Sequence, residues 1–472
     1  ADSKRKENKS LNPKIPSIMS TETVDGTPYY IGWVFSLLIL LAVTAKARSL
    51  APNPIITTDF KNFQRSFVHI YLIALGSEWL QSCYLFVLLH KSYQFSVSSI
   101  AWMFIAGLIS CQTIGVLWEV MDVGSRKGRC MLCLGLQAAS CLLMLIGGGS
   151  FGTLIAARIL AGVASSVMQG SFEQWMVDQH FNQGFPDDWL PHTFNQLSYS
   201  TARLAAAVGI VGELSVEIFG FQGPYFVSLL LSLLGLGLMS VVWHQDAHRR
   251  FVPPAQILAN FNAAFRAVQT DKTVLFAILV QAWYEVAICL FAFLWTPLLN
   301  LTLPHTEGSA PYGFIFSLFL IAVMVGSFAF KIITEVAKSN NQAQSLSTEV
   351  LCQASYLGGS AAFLMLSVMT SQYLVVFFCV VFQLGVGLFY PAMGTLRGKY
   401  VPRDARLIIL NGAKVVVITT AYILLAYFSH SFGTICVVCA FLLASGAFAI
   451  FKIQKTNSVS TSLKPSTQDT PV

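Results

Sequence analysis

A chain of 472 residues with 55% hydrophobic and only 11% charged residues lacks the polar surface of a soluble globular protein, in which about a quarter of residues are charged. The formal net charge of +7 does not imply a nucleic-acid partner, because the bases are scattered among the ends of apolar runs and form no continuous stripe. No phosphate-binding loop or ATP-site motif occurs, which argues against a primary pump, and nothing in the sequence calls for a cofactor.

In chain order, the apolar runs predict membrane-spanning helices of about 20 residues. The first is a short segment at 29–45, followed by 67–89, 100–121, 130–147, 151–172, 193–219, 223–243, 273–299, 312–332, 349–369, 372–396, 407–429 and 433–453. Such long runs exclude a β-barrel, whose strands alternate over about ten residues. The class is an all-α polytopic membrane protein. Cytoplasmic loops retain Lys and Arg. One set of loop ends collects Lys46, Arg48, Lys61, Arg65, Arg126, Lys127, Arg129, Arg249, Arg250, Arg266, Lys272, Lys331, Lys338, Arg397, Lys399, Arg403, Arg406, Lys452 and Lys455, while the opposite set holds only Lys91. The C-terminus is therefore expected on the cytoplasmic side of a multi-pass protein, with the plasma membrane as its expected location. Lys4, Arg5, Lys6 and Lys9 sit awkwardly with an outside N-terminus, so Tyr29–Ala45 reads either as a first span or as a targeting segment.

The longest internal polar stretch, 244–272, separates six spans from six. Within it, Ile257, Leu258, Phe261, Ala264, Phe265 and Val268 recur at helical intervals, which predicts an amphipathic helix lying on the inner membrane face. The expected organisation is a polar tail (1–28), an additional hydrophobic helix (29–48), an N-terminal bundle (60–243), the linker (244–272), a C-terminal bundle (273–453) and a disordered tail (454–472).

The two halves repeat one another. Glu78 and Glu285 each interrupt the first helix of a half, and Arg203 and Lys414 each fall twelve residues after a proline, Pro191 and Pro402. A charge at the bilayer centre costs at least about 2.5–3.5 kcal/mol, so an intramembrane ionisable residue marks a functional site by default. Helical spacing sets Tyr199 and Ser200 beside Arg203, Asn411 beside Lys414, and Gln281 beside Glu285. Two bases and two acids at one level would give a chamber in which an entering oxyanion takes the bases, and Glu78 and Glu285 then bind protons in its company. The bland alternative is a set of structural salt bridges between the halves. Arg158 shares a helix face with Gly162, Ser165, Ser166 and Gln169, a polar stripe that either lines a cavity or ties two helices together.

Repeated halves with sites between them are the plan of secondary transporters of the major facilitator superfamily. Asp122, Arg126 and Lys127 resemble the Asp, Arg and Lys of that superfamily's loop motif, with the glycine displaced by one position, and suggest an inner lock or gate. Further stretches narrow the resemblance: Trp79-Leu80-Gln81, Phe172-Glu173-Gln174-Trp175, Phe185-Pro186-Asp187-Asp188-Trp189, Phe293-Leu294-Trp295-Thr296-Pro297, Gly313-Phe314-Ile315-Phe316-Ser317 and Gly387-Leu388-Phe389-Tyr390-Pro391. With them the chain resembles the eukaryotic molybdate-anion transporter family, which also has an extra helix before its core. That resemblance implies a major-facilitator-type 6+6 helix bundle and molybdate, a tetrahedral dianion, as the small-molecule partner, with protons and the lipid bilayer as the other expected partners. Asn411-x-x-Lys414 matches an Asn-x-x-base segment of the family, with Lys where Arg is expected; Arg203 rests on the internal symmetry alone.

The alternatives are transport of another small solute on the same fold, a polytopic membrane enzyme, or a non-transporting sensor. For an enzyme the only material is the cluster Glu173, Asp178, His180, Asp187, Asp188 and His192, set among aromatics that suggest interfacial packing. Cys130-x-x-Cys133 and Cys436-x-x-Cys439 mimic metal spacing but lie in apolar helices without further ligands, so no metal site is expected.

Overall fold

The structure is a computed structural model that describes residues 26–51, 56–121, 125–243, 262, 266, 272–303, 310–339, 348–400 and 406–462. It is built from helices α1 (Thr27–Ser49), α2 (Thr58–Cys83), α3 (Val97–Met121), α4 (Arg126–Ile146), α5 (Phe151–Asn182), α6 (Leu190–Phe219), α7 (Gly223–Val242), α8 (Lys272–Thr302), α9 (Tyr312–Ser339), α10 (Thr348–Leu366), α11 (Gln372–Tyr400), α12 (Arg406–Phe428) and α13 (Phe432–Ser462). Every expected span is found as a helix. Among the described residues, nine stretches are long and apolar enough to cross a membrane, one of which, Asp187–Val242, contains both α6 and α7. The pair Thr58–Cys83 and Leu85–Ser92 makes a tenth if its 44° bend is counted within one span. The amphipathic linker helix and Asp122 lie outside the described residues, apart from positions 262 and 266.

Local chemistry sets the helix ends. Thr57 caps α2, its hydroxyl accepting from the Phe60 N–H, and Ser125 caps α4 by accepting from the Gly128 N–H at 3.1 Å. Gly220 stops α6 with φ of 66°, a conformation that costs a residue with a Cβ. Thr57 makes α2 start well before the expected 67, because Asp59, Lys61 and Arg65 are tolerated on an amphipathic first turn.

Helices α2–α7 pack mainly on one another, through α4–α5, α3–α5, α4–α7 and α2–α7, and α8–α13 do so through α9–α11, α10–α11, α10–α13, α8–α12 and α8–α13. The groups meet along two seams, α6–α9 and α3–α12, and α1 lies against α9 beside the first of them. One end of the bundle carries Lys91 and the other Arg126.

Small residues let these helices touch at the backbone, the usual device where lipid offers no hydrophobic drive. A Cβ on Gly209 would stand 2.5 Å from Cβ of Ser317 on α9. The Ser317 hydroxyl donates to the Ala205 carbonyl (2.7 Å) and accepts from Nε1 of Trp33 (2.9 Å), so α1, α6 and α9 are pinned at one point. Within the second group, a Cβ on Gly387 would come 2.1 Å from the Val323 carbonyl oxygen.

At the Arg126 end, bases tie helices within a group. Arg126 pairs with Asp178 at 2.7 Å and donates to the Gln174 carbonyl, holding α4 to α5, while Lys127 donates to the carbonyls of Ser240 and Trp243 at the end of α7. Lys399 and Glu349 join α11 to α10 at 2.7 Å.

Replacing Gly387 by Ala is expected to lower stability by about 1–3 kcal/mol, because the α9 backbone has to move. Gly358→Ala, where nothing lies within 4 Å, should leave the melting temperature of the detergent-purified protein unchanged.

Candidate functional site

A cavity of about 310 Å³ lies between the two helix groups, lined by Glu78, Gln81, Gln137, Arg158 and Ser165 from the first and by Cys289, Trp295, Gln383 and Leu425 from the second. Phe67, Ala74 and Leu75, on the same face of α2 as Glu78, are buried in the core of its own group, and that face reaches the cavity one turn further along, at Glu78. α5 presents Arg158 and Ser165 two turns apart, and a Cβ on Gly162 between them would strike Gly107 of α3, so this face of α5 is held hard against α3.

The carboxylate of Glu78 accepts from the Ser165 hydroxyl at 2.5 Å. Arg158 has no such answer. Its guanidinium stands 5.6 Å from the Phe104 ring centroid, its Nε is buried without a hydrogen-bond partner, and no ion pair reaches it among the described residues. Gln137, 2% exposed, has both its amide atoms unpartnered at the same cavity. Buried donors and acceptors are otherwise nearly always satisfied. Three such atoms around one space describe a polar site that a small anion with its water fits.

Aromatic contacts between the groups shut the Lys91 end. Phe293 meets Phe86 at 5.9 Å and Phe104 at 5.4 Å, the Ser98 hydroxyl is 2.7 Å from Nε2 of His430, and Glu213 accepts from the Tyr84 hydroxyl (2.8 Å) and from the Gly313 N–H (3.1 Å).

The expected site residues part company. Glu78 and Arg158 share the cavity. Glu285 accepts from Gln281 at 2.6 Å, one turn toward the Arg126 end from the cavity residue Cys289. Tyr199 stacks on Phe328 with ring centroids 5.4 Å apart, beneath Arg48 at 4.8 Å, in the α6–α9 seam. Arg203 donates to Ser200 at 2.9 Å and, with Ser200, lines a separate pocket between α2 and α6. The reason is rotation: α6 turns Ala205, Gly209 and Gly212 to the α9 seam, which leaves Arg203 on a different face. Glu78 also falls late in the 26-residue α2 whereas Glu285 is central in the 31-residue α8, so the two carboxylates are not set by equal counts from equivalent helix starts. Arg126 and Lys127 bind within their own group, away from the cavity. The side chains of Asn411 and Lys414 lie outside the described residues.

Gln137 and the Glu213 latch were not singled out in the sequence, although each is a polar residue within an apolar helix, which is signal enough. In the 173–192 loop, His180 bonds the Pro186 carbonyl and sits edge-on between Phe60 and Phe181, and no cluster of His, Cys, Asp and Glu suited to a metal occurs among the described residues.

A bundle of apolar helices in two groups around a polar cavity defines a multi-pass membrane transporter. The profile of a family described as sugar transporters with twelve transmembrane segments matches residues 29–382. The molybdate-anion transporter of Takifugu rubripes is 30% identical over 80% of this chain and 82% of its own length, and that of Xenopus tropicalis is 30% identical over 78% and 79%. The Danio rerio protein of the same name is 28% identical over 79% and 81%. A mutant of the nucleoside transporter NupG superposes with a TM-score of 0.65 at 13% identity, over 83% of this chain and 99% of that one. An auto-inhibited peptide transporter of the POT family gives 0.63 at 8% identity, over 87% and 99%; both show the fold alone. The chain belongs to the molybdate-anion transporter family of the major facilitator superfamily.

Gln137→Leu is expected to leave the melting temperature of the ligand-free protein unchanged or slightly raised, since no bond is lost and an unsatisfied buried amide is removed. A fall of several degrees would mean that the amide is satisfied within the fold.

Proposed function

We propose that the protein is a secondary transporter that moves molybdate, or a similar tetrahedral oxyanion, by alternating access with a proton carried on Glu78. The observation that carries this reading is Arg158, a guanidinium without an anionic partner facing a cavity. A dianion must exchange its hydration shell for donors, and charged donors give the shorter and stronger bonds. Arg158 supplies the charge and a planar fork, and Gln137 supplies an amide donor. The relatives, molybdate-anion transporters, supply the candidate ion.

Glu78 lines the same cavity, and a carboxylate and a dianion cannot share it without cost. Entry of the anion is therefore joined to protonation of Glu78, which then acts as a donor. Lys414 and Asn411 are the remaining expected donors; by helical spacing Lys414 falls on the face of the cavity residue Leu425, about 16 Å nearer the Arg126 end. Glu285, one turn nearer that end than the cavity residue Cys289, marks a route from that end to Arg158. The excess of bases makes it the cytoplasmic end, where the C-terminus also lies, and the membrane proposed is the plasma membrane. The contacts at the Lys91 end form one gate of the cycle, and the lock made by Arg126 and Lys127 keeps the first group rigid as the groups rock.

In proteoliposomes, Arg158→Gln should reduce molybdate uptake at least tenfold, the loss expected for a charge-assisted hydrogen bond of about 1.5–3 kcal/mol. Glu78→Gln should make the remaining uptake indifferent to an imposed pH gradient. The description attached to the family profile favours a second reading, a neutral sugar; sugar uptake that survives Arg158→Gln would replace the first.

Ser98→Cys combined with His430→Cys spans the closed gate, where the native side chains are 2.7 Å apart. A short bifunctional thiol cross-linker should abolish transport in the double variant, reversibly on reduction, and leave each single variant active. Full transport by the cross-linked protein would refute alternation at this end.

A further inference from the structure

The second pocket, about 340 Å³ between the Arg126-end halves of α2 and α6, shares no lining residue with the central cavity. It gathers Lys61, Arg65 and His69 from α2 with His192 and Arg203 from α6, and no carboxylate lines it. Lys61 and Arg65 make no hydrogen bond or ion pair among the described residues, and the Arg203 guanidinium donates only to the Ser200 hydroxyl. Lys61, Arg65 and Arg203 thus bring three fixed positive charges to one pocket with no carboxylate in its lining, which favours an anionic occupant.

The walls of this pocket are built. Gln64, 5% exposed, holds α2 to α6, its amide nitrogen 2.9 Å from both Thr193 Oγ1 and His192 Nδ1. Because an amide nitrogen can only donate, His192 Nδ1 accepts, and the proton of the neutral ring stands on Nε2 as a further donor.

The pocket opens sideways. Arg203 begins a stripe on α6 that continues through Ala207, Ile210, Leu214 and Ile218, at spacings that keep one helix face. Ile210, Leu214 and Ile218 are 40, 50 and 70% exposed, an apolar strip suited to hydrocarbon. Arg203 donates back to Ser200, toward the Arg126 end, as a long basic side chain does when it reaches from the apolar layer to the headgroup region.

We infer that this pocket binds the phosphate of an acidic phospholipid, with the headgroup among Lys61, Arg65, His192 and Arg203 and an acyl chain along Ile210, Leu214 and Ile218. Basic pockets between transmembrane helices are the known form of such sites, and each base near the surface contributes enough for about a fivefold change in affinity. The bound lipid bridges α2, which carries Glu78, and α6, which carries the seam to α9. It therefore braces the first group at the point where it moves against the second.

The test uses the full chain in detergent, titrated with dioctanoyl phosphatidic acid, dioctanoyl phosphatidylcholine, inorganic phosphate or molybdate, with the thermal midpoint as readout. Phosphatidic acid is expected to raise the midpoint, phosphatidylcholine and inorganic phosphate are not, and Arg65→Gln or Arg203→Gln should each raise the half-saturating concentration about fivefold. Lys61→Gln, on the exposed first turn, gives the same reading without touching the packing. Equal stabilisation of wild type and variants, or an equal effect of phosphatidylcholine, overturns the inference. So does stabilisation by inorganic phosphate or molybdate that depends on Arg203, which would make the pocket a free-oxyanion site.

Discussion

The cost of keeping charge inside a membrane organises this bundle. A base or acid within the hydrocarbon layer has to be paired, solvated through a cavity, or brought to the headgroups. The chain uses all three solutions. Arg126, Lys127 and Lys399 are answered within their own helix group by a carboxylate or by helix-end carbonyls, so they stiffen each group without joining the two. Glu78 and Arg158 are left to a cavity. Arg203 reaches along its own helix toward the end of the bundle.

This division explains why the contacts between groups are chemically unlike those within them. The α6–α9 seam rests on glycines, a serine hydroxyl and backbone carbonyls, and the gate at the Lys91 end rests on aromatic edges, one Ser–His contact and the Glu213 latch. Such contacts are short and directional, yet no ion pair crosses between the groups among the described residues. In the proposed alternating-access cycle this interface opens, and a buried ion pair across it would cost about 3–5 kcal/mol each time it broke. The charged groups that reach across, Glu213 to the Gly313 N–H and Lys331 to the Asn195 amide oxygen, meet neutral partners, so separating the groups breaks no ion pair among the described residues.

The existence and order of the helices were legible in the sequence, because a bilayer demands about 20 apolar residues per span, whereas ends such as Thr58 of α2 and Asn182 of α5 lie about ten residues beyond the apolar runs. Arg158 and Glu78 were legible as charges in apolar helices, and the polar stripe from Arg158 to Ser165 pointed to the face they occupy. Arg203 was a harder case. Counting residues from Pro191 and Pro402 gives a matching depth, but depth says nothing about which side of a helix faces lipid. That information lay in the run from Ala207 to Ile218, whose apolar residues share Arg203's face, and in the glycines at 209 and 212, which mark a different face as the seam. Internal symmetry is a property of the backbone plan, and a side chain that serves one half only need not have a counterpart in the other.

The same geometry decides what the cavity can hold. Two charges of opposite sign line it, each differently satisfied: Glu78 has its Ser165 donor, and Arg158 has only the face of Phe104 and an unpartnered Nε. Had the two been joined in a salt bridge, an incoming anion would have to break the pair before gaining anything from Arg158. Kept apart, the guanidinium is available at once, and in the proposed cycle the carboxylate is the group that takes up a proton when the anion arrives. Phe104 belongs both to the lining beside Arg158 and to the aromatic contact with Phe293 that shuts the Lys91 end. A shift of the guanidinium toward a bound anion therefore changes what Phe104 rests against, and links occupancy of the cavity to the packing of its gate through a single ring.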